Sequence, residues 1–156
     1  MKLPFQQVDV FTAVPFKGNP VAVVLGGDAL SSERMQAIAH WTNLSETTFV
    51  CAPSDPRADY RLRIFTPQRE LPFAGHPTIG SARAILAHGQ LPRVAGRLVQ
   101  ECGKGLIDIK LDGDHLFLAL PDPQFVEAAP SALAPRGFRL LACLLDQSFF
   151  SGVCSS

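Results

Sequence analysis

The sequence predicts an α+β fold in which a curved, mostly antiparallel sheet wraps around one buried central helix. Three observations favour this fold. Segments with the two-residue alternation of β-strands outnumber helical segments, and one of the two helical segments is apolar on almost every side. The length of 156 residues gives room for a single hydrophobic core, so that helix should lie inside the core that the sheet forms.

Two strands are expected near the N-terminus. In residues 7–12, Val8, Val10 and Thr12 alternate with Gln7, Asp9 and Phe11. Residues 21–25 are apolar throughout, as in a buried strand. Between them, residues 15–20 contain two prolines and a glycine, a composition typical of a turn or loop.

A first helix is expected after these strands. Ser31 or Ser32 can cap its start, Glu33 suits the positive end of its dipole, and the helix should end near Asn43. Side chains at three- and four-residue spacing mark one face of this helix: Met35, Ile38, Ala39 and Thr42.

Five more strands are expected, at residues 47–51, 60–65, 97–102, 106–111 and 114–120, and residues 53–56 should form a loop. In the second of these strands Arg61 and Arg63 alternate with apolar residues and should face outward. The last two strands are joined by Asp112-Gly113, a pair typical of a tight hairpin turn. Their alternating apolar side chains should share a buried face: Ile107, Ile109, Leu111, Leu116, Leu118 and Leu120.

The most informative segment is residues 73–89, which predict the buried helix. Pro77 suits its first position and Gly89 suits the position just past its end. Its first turn should leave three backbone N–H donors unpaired, those of His76, Thr78 and Ile79. A buried helix start of this kind can hold an anion, most simply a carboxylate. The alternative is a purely structural helix whose start is covered by water or by a loop.

Charge and hydropathy exclude several classes of partner. The 14 basic and 14 acidic residues cancel and no basic block stands out, so a nucleic-acid partner is not expected. The apolar runs are too short to span a bilayer, and the first residues lack the pattern of a secretion signal. We therefore expect no membrane partner and a cytoplasmic location.

Neither the cysteines nor the histidines are grouped like metal ligands. The cysteines lie far apart and are interpreted as buried free thiols, and no two histidines have the spacing of a helical metal pair. No metal is therefore expected. The residues concerned are Cys51, Cys102, Cys143, Cys154, His40, His76, His88 and His115.

Glu46 is the first candidate for chemistry. It lies where the first helix ends and an apolar strand begins, a junction that tends to be partly buried. A carboxylate in such a place can take and return a proton near neutral pH. The alternative is a solvated residue at the beginning of a strand, and periodicity alone cannot choose Glu46 from among 14 acidic residues.

Five motifs occur in the order seen in the PhzF-like family of phenazine biosynthesis isomerases, which the chain therefore resembles. They cover about the first 90 residues, and the expected strands up to about Phe125 are compatible with the same domain. The motifs are VDVFT (8–12), FKGNPVAV (16–23), NLSET (43–47), RIFTP (63–67) and FAGHPTIGSA (73–82).

This resemblance implies a fold like that of diaminopimelate epimerase, with two similar lobes and an active site in the cleft between them. It also implies a cofactor-free proton shift on trans-2,3-dihydro-3-hydroxyanthranilate, a small substrate that carries a carboxylate. By match, the catalytic residues are Glu46, which removes and redelivers the proton, and His76, which lines the site. Substrate binding is assigned to Asn19, Gly75, Thr78 and Ile79.

The chain departs from the epimerases of this fold, which use a pair of cysteines. At the matching helix start this chain has Ala74-Gly75-His76 and no thiol, so racemisation by two cysteines is not expected. Cys51 and Cys102 could be considered as a replacement pair, but neither lies in the matching motif. A single carboxylate that shuttles one proton is the better fit.

Residues 1–125 are predicted to form the PhzF-like N-terminal lobe, and residues 126–156 an atypical tail. Nothing after Pro121 resembles the second lobe of the family, and the tail is interpreted as a truncated or frame-shifted end. The alternative is a short helix at residues 138–145 that covers a sheet edge or pairs with another chain.

Two functional classes remain open. The first is an isomerase whose missing lobe comes from a partner or from self-pairing. The second is a catalytically silent lobe that acts as a binding or interaction module. With half of the cleft absent, we expect impaired activity and an exposed apolar surface, and hence self-association, for example as a homodimer.

Overall fold

The computed structural model describes residues 2–118. Within that range eight strands form one sheet, which is accompanied by two α-helices and a single 3₁₀ turn at Gly27–Ala29. The strands are β1 (Phe5–Val10), β2 (Asn19–Leu25), β3 (Glu46–Cys51), β4 (Tyr60–Phe65), β5 (Glu70–Leu71), β6 (Arg97–Cys102), β7 (Gly105–Asp112) and β8 (His115–Leu118). The helices are α1 (Ser32–Thr42) and α2 (Gly75–Ala87).

The strand order is β1-β2-β3-β4-β6-β7-β8, and β5 pairs with the C-terminal half of β4. Most neighbours are antiparallel, but β2 runs parallel to β3 and β4 runs parallel to β6. Each parallel pair is connected by a segment that contains a helix, α1 in the first case and α2 in the second, as parallel pairing requires. The sheet is therefore mixed, and the predicted α+β class is confirmed.

Helix α2 is the centre around which the sheet curls. It contacts β1 and β8, which lie at opposite ends of the strand order, as well as β2, β3 and β4 between them. Ile79, Ala82 and Ile85 of α2 pack in the main core against Val21 of β2 and Ile64 of β4. The predicted arrangement of a curved sheet around one buried helix is confirmed.

Helix α1 covers the opposite face of the sheet. Met35 and Ala39 of α1 form a second core with Phe49 and Phe65, whose rings meet edge to face with 5.5 Å between their centroids. Ser31 caps this helix, since its Oγ accepts a hydrogen bond from the backbone N–H of Arg34 at 3.3 Å. The predicted start of α1, its buried face and its end at Asn43 are confirmed.

A buried hydrogen bond ties α2 to the strand that begins with Glu46. The hydroxyls of Thr48 and Ser81 lie 2.8 Å apart, and the Thr48 hydroxyl also contacts the carbonyl oxygen of Ala22 at 3.1 Å. Thr48 and Ser81 are fully buried, so this link is protected from competition by water.

Helix α2 begins earlier than predicted. Gly75 is its first residue and Pro77 its third, although Gly89, with φ of +90°, does lie just past its end. Pro77 is tolerated there because an N–H in the first turn has no acceptor within the helix in any case. The prediction that Pro77 opens the helix was therefore wrong by two residues.

The hairpin of the last two described strands is shifted by one residue. Asp112 pairs with His115, so the two turn residues are Gly113 and Asp114 rather than Asp112 and Gly113. Gly113 has φ of +58°, the conformation that a tight hairpin turn requires and that glycine adopts readily. The shared face of these strands is as predicted for residues 107–118, and Leu120 lies outside the described residues.

The predicted first strand also ends early, because Phe11 has a left-handed φ of +69° that no strand continues through. In β4, Arg61 is exposed as predicted, whereas the Arg63 side chain is only 18% exposed because it pairs with Glu70 at 2.7 Å.

The predicted tail at residues 126–156, with its alternative helix at 138–145, lies outside the described residues. Neither helix of residues 2–118 has the length and apolar character needed to cross a membrane.

Candidate active site

The candidate site lies where the start of α2 meets the ends of three strands. Glu46 is the first residue of β3 and pairs in register with Val21 of β2. Asn19 is the first residue of β2 and pairs with Val10, the last residue of β1. His76 is the second residue of α2. The fold thus brings together residues that are far apart in the sequence.

Glu46 and His76 form the chemical centre of this site. Oε2 of Glu46 lies 3.4 Å from Nδ1 of His76, and the side chains are only 17% and 10% exposed. Oε2 of Glu46 and Nε2 of His76 are buried, and neither has a hydrogen-bond partner among residues 2–118. Unsatisfied buried polar atoms are rare in folded proteins, and such atoms are typical of sites that bind a ligand or carry out chemistry.

The protonation of His76 follows from this environment. Burial lowers the pKa of His76 from its ordinary value, while the Glu46 carboxylate and the carbonyl oxygen of Pro20 act in the opposite direction. The net effect is a lowered pKa, so the imidazole is neutral near pH 7. A neutral imidazole has one N–H to donate and one nitrogen that accepts.

The start of α2 is not capped by a side chain. Its N-cap residue is Ala74, which has no side-chain acceptor, whereas α1 has the hydroxyl of Ser31 in the same position. The backbone N–H groups of Gly75 and His76 have no acceptor among the described residues. Two donors therefore stand open at the positive end of a buried helix.

These open donors differ in part from the predicted set. His76 is as expected, but the N–H of Thr78 donates to the carbonyl oxygen of Ala74 at 3.3 Å, and the regular pattern of α2 pairs Ile79 with Gly75. The earlier start of the helix causes this difference, because the open donors move with it. The prediction that Thr78 and Ile79 supply free backbone donors was wrong.

The residues assigned to substrate binding differ in how deeply they are buried. Asn19 is partly exposed, and its side chain makes no hydrogen bond with residues 2–118. Thr78 is fully buried, and Ile79, at 4% exposed, packs into the main core. Asn19 and Gly75 are therefore near the surface of the site, and the substrate-binding role of all four assigned residues stays a prediction.

Comparison with known proteins identifies the family. A family model described as phenazine biosynthesis-like protein, PhzC-PhzF, matches residues 8–141. The chain belongs to this family. The resemblance inferred from the five sequence motifs is thereby confirmed.

Two curated proteins and one solved structure illustrate the similarity. Trans-2,3-dihydro-3-hydroxyanthranilate isomerase of Pseudomonas aeruginosa is 52% identical over 140 residues, which are 90% of this chain and 41% of that protein. Antisense-enhancing sequence 1 of Schizosaccharomyces pombe is 54% identical over 110 residues, 70% of this chain and 37% of that protein. A crystal structure of a PhzF-family phenazine biosynthesis protein from Bacillus anthracis matches with a TM-score of 0.65 at 35% identity, and the match covers 76% of this chain and 40% of that one. The chain spans about two fifths of the length of these relatives.

In this PhzF-family chain, Cys51 does not have the environment of a reactive thiol. Cys51 is buried in the second core, and burial raises the pKa of its thiol, which disfavours the thiolate that acid–base or nucleophilic chemistry needs. Cys51 and Cys102 are both free, and no group of three or more His, Cys, Asp or Glu side chains in residues 2–118 is arranged to hold a metal ion.

One residue beside the site was missed by sequence reasoning. The ring centroid of Phe11 lies 6.4 Å from that of His76, with 54° between the ring planes. Phe11 reaches this place because its φ of +69° turns the chain at the end of β1. It belongs to the VDVFT motif, which is the one sequence signal that could have drawn attention to it.

Proposed function

We propose that this chain supplies one lobe of a PhzF-like isomerase in which Glu46 is the general acid and base. The observation that carries the proposal is the buried, unpartnered carboxylate oxygen of Glu46, 3.4 Å from His76 at the uncapped start of α2. The proposed substrate is a small carboxylate of the dihydro-hydroxyanthranilate type, the class named for the Pseudomonas aeruginosa relative.

The proposed step balances in atoms and electrons. The Glu46 carboxylate takes a proton from one carbon. The electron pair of the broken C–H bond forms a new double bond to the neighbouring carbon, and the pair of the existing π bond shifts to a second carbon. Glu46 then returns the proton to that second carbon, where a new C–H bond forms, and the carboxylate is restored. The net result is an isomerisation that consumes no oxidant and no reductant.

The neighbours of Glu46 support this chemistry. The lowered pKa of His76 makes its imidazole a weaker base than an ordinary histidine, and its unpartnered Nε2 can accept a hydrogen bond from the substrate. The open N–H groups of Gly75 and His76 suit the substrate carboxylate. Substrate and proton acceptor would then be held on the same side of the helix start, which is the arrangement that proton transfer requires.

A second candidate function is a lobe that binds a partner and performs no chemistry. It is favoured by the exposed apolar side chains in the loop between β1 and β2, where Phe11 is 44% and Val14 58% exposed. Exposed apolar groups of this kind are suited to an interface, and self-association of the chain is part of this proposal. We also propose a cytoplasmic location.

Turnover of trans-2,3-dihydro-3-hydroxyanthranilate separates the two candidates. The isomerase proposal expects conversion by the unaltered chain and a loss of at least about 100-fold in Glu46→Gln. The control is Glu33→Gln, which alters an exposed carboxylate of α1 and should leave turnover unchanged. No turnover by the unaltered chain, together with an oligomer in size-exclusion chromatography, would favour the interaction lobe.

A further inference from the structure

Three buried polar side chains form a series of hydrogen bonds that ends at the carbonyl of Ala74, the N-cap residue of α2. The hydroxyl of Tyr60 donates to Oε1 of Gln100 at 3.0 Å, and Nε2 of Gln100 donates to Oγ1 of Thr78 at 3.1 Å. Oγ1 of Thr78 in turn donates to the carbonyl oxygen of Ala74 at 2.8 Å. Tyr60 is 1% exposed, and Gln100 and Thr78 are fully buried, so water cannot replace any of these partners.

The donor and the acceptor of each hydrogen bond in this series are fixed. An amide nitrogen only donates, so Oγ1 of Thr78 must accept from Gln100 and has its single proton left for the carbonyl oxygen of Ala74. The hydroxyl of Tyr60 holds the amide of Gln100 in that orientation from the other side. Tyr60 is therefore linked to Ala74 through the side chains of Gln100 and Thr78.

The carbonyl of Ala74 controls a donor of the candidate site. This carbonyl accepts from both the N–H and the hydroxyl of Thr78, at 3.3 and 2.8 Å. The N–H of Gly75 belongs to the same trans peptide unit, in which the C=O and the N–H point in opposite directions. Holding the carbonyl toward the body of the helix therefore directs the Gly75 N–H away from it, beyond the helix start.

The same helix start has a second feature that indicates a ligand. The side chain of His76 is nine-tenths buried, and its Nε2 atom has no partner among residues 2–118. An open backbone donor and a buried unpartnered nitrogen thus belong to adjacent residues. Polar atoms in such a place normally find a partner. A ligand carboxylate suits the open N–H of Gly75, and a donor group beside that carboxylate suits Nε2 of His76.

We propose that Thr78, supported by Gln100 and Tyr60, is a positioning residue that holds the Ala74–Gly75 peptide unit in one orientation and so presents the Gly75 N–H to the substrate. The identity of the ligand as a carboxylate rests on the proposed function. The orientation of the peptide unit is a property of the free protein and can be measured without any activity.

The structure offers a matched control for this role. Ser81 is also a buried hydroxyl residue of α2, but its partner is Thr48 and it does not reach the helix start. If the Thr78 hydroxyl served stability alone, its removal and the removal of the Ser81 hydroxyl would affect the start of α2 alike. If Thr78 positions the Gly75 N–H, only its own removal should do so.

The test is the backbone amide NMR signal of Gly75 in the full chain without ligand. In Thr78→Val we expect this signal to shift or broaden, because the peptide unit gains a second orientation. Thr78→Ser, which keeps the hydroxyl, should restore it, and Ser81→Ala should leave it in place. An unmoved signal in Thr78→Val, or an equal change in Ser81→Ala, overturns the proposal. Should Thr78→Val fail to fold, Tyr60→Phe is expected to shift the Gly75 signal to a smaller extent. An unmoved Gly75 signal in Tyr60→Phe would then overturn the proposal.

Titration with anthranilate, a flat carboxylate, then tests the ligand separately. We expect the Gly75 signal of the unaltered chain to move on titration, and the affinity of Thr78→Val to fall about fivefold, as for the loss of one hydrogen bond. Equal affinity in both proteins overturns the positioning role. If anthranilate leaves the Gly75 signal of the unaltered chain in place, the carboxylate site of the proposed function fails, and the ligand-free spectra still decide the role of Thr78.

Discussion

Gly80 of α2 lies so close to β2 that a Cβ atom at this position would stand only 2.4 Å from Cγ1 of Val21. Val21 is also the register partner of Glu46. The contact that seats the helix therefore sets how near His76, on the first turn of α2, comes to the carboxylate on β3. Close packing between a glycine and a valine thus helps to form the candidate site.

Gly80→Ala should destabilise the protein by about 1–3 kcal/mol, the usual cost of overpacking a well-filled core. The added methyl group would meet Val21 and also Cγ2 of Val10, at 2.9 Å, so the helix would have to move away from the sheet. Urea denaturation of both proteins measures the difference in the free energy of unfolding.

A double-mutant cycle provides the control. Val21→Ala removes the side chain that the new methyl group would strike, so Gly80→Ala should cost less in that background than in the unaltered chain. Strictly additive losses would show that the contact between these two residues does not limit the approach of the helix.

The stability of the protein should fall as the pH is lowered through the ordinary titration range of histidine. Burial lowers the pKa of His76 in the folded state from the ordinary value of 6.5, so the unfolded chain binds a proton more readily. The stabilisation is fully present above about pH 6.5 and is lost as the pH falls through the lower pKa of the folded state. Unfolding free energies from urea titrations between pH 7.5 and 5 measure this slope.

His76→Gln isolates the contribution of this residue. The variant cannot titrate at position 76, so its unfolding free energy should depend less on pH over the same interval. The carboxylate of Glu46 and the carbonyl of Pro20 favour the protonated form of His76, so they reduce the effect without reversing it. Equal slopes for the two proteins would contradict the lowered pKa.

Asp59→Ala should destabilise the protein by about 2–4 kcal/mol. The carboxylate of Asp59 is buried and accepts the backbone N–H groups of Val99 at 2.6 Å and Arg93 at 2.8 Å. Truncation leaves two backbone donors without their partner, and hydrogen bonds to a charged acceptor are among the stronger ones.

The control for this prediction is Arg57→Ala, which breaks the exposed pair with Asp55. Exposed ion pairs contribute little, so its thermal unfolding midpoint should stay near that of the unaltered chain. A loss in Arg57→Ala as large as that in Asp59→Ala would show that burial does not distinguish the two carboxylates.

The features that the sequence predicted correctly are those with local causes. The cap at Ser31 and the spacing of Met35 and Ala39 lie within one helix, and the alternation of β4 lies within one strand. The early end of β1 could not be predicted, because it depends on a left-handed backbone at Phe11, a conformation that phenylalanine rarely adopts. The two-residue strand β5 is too short to carry a periodic signal.

The candidate site depends mostly on contacts between residues that are distant in the sequence. Glu46 and His76 come together only because the sheet curls around α2, and no periodicity links residues so far apart in the sequence; the family motifs supplied that pairing. The bonds from Tyr60 to Gln100 and from Gln100 to Thr78 span 40 and 22 residues. Contacts of this kind are fixed by strand register and helix position, which the sequence alone does not specify.

The most direct measurement follows the proton itself. The unaltered chain and Glu46→Gln are incubated with trans-2,3-dihydro-3-hydroxyanthranilate in D₂O, and the deuterium content of recovered substrate and product is measured by mass spectrometry. If Glu46 carries the proton between carbons, the unaltered chain should give isomerised product. Deuterium should enter this product whenever the proton on Glu46 exchanges with solvent. Glu46→Gln should lose both the product and the deuterium. Equal product formation by the two proteins would contradict the role of Glu46.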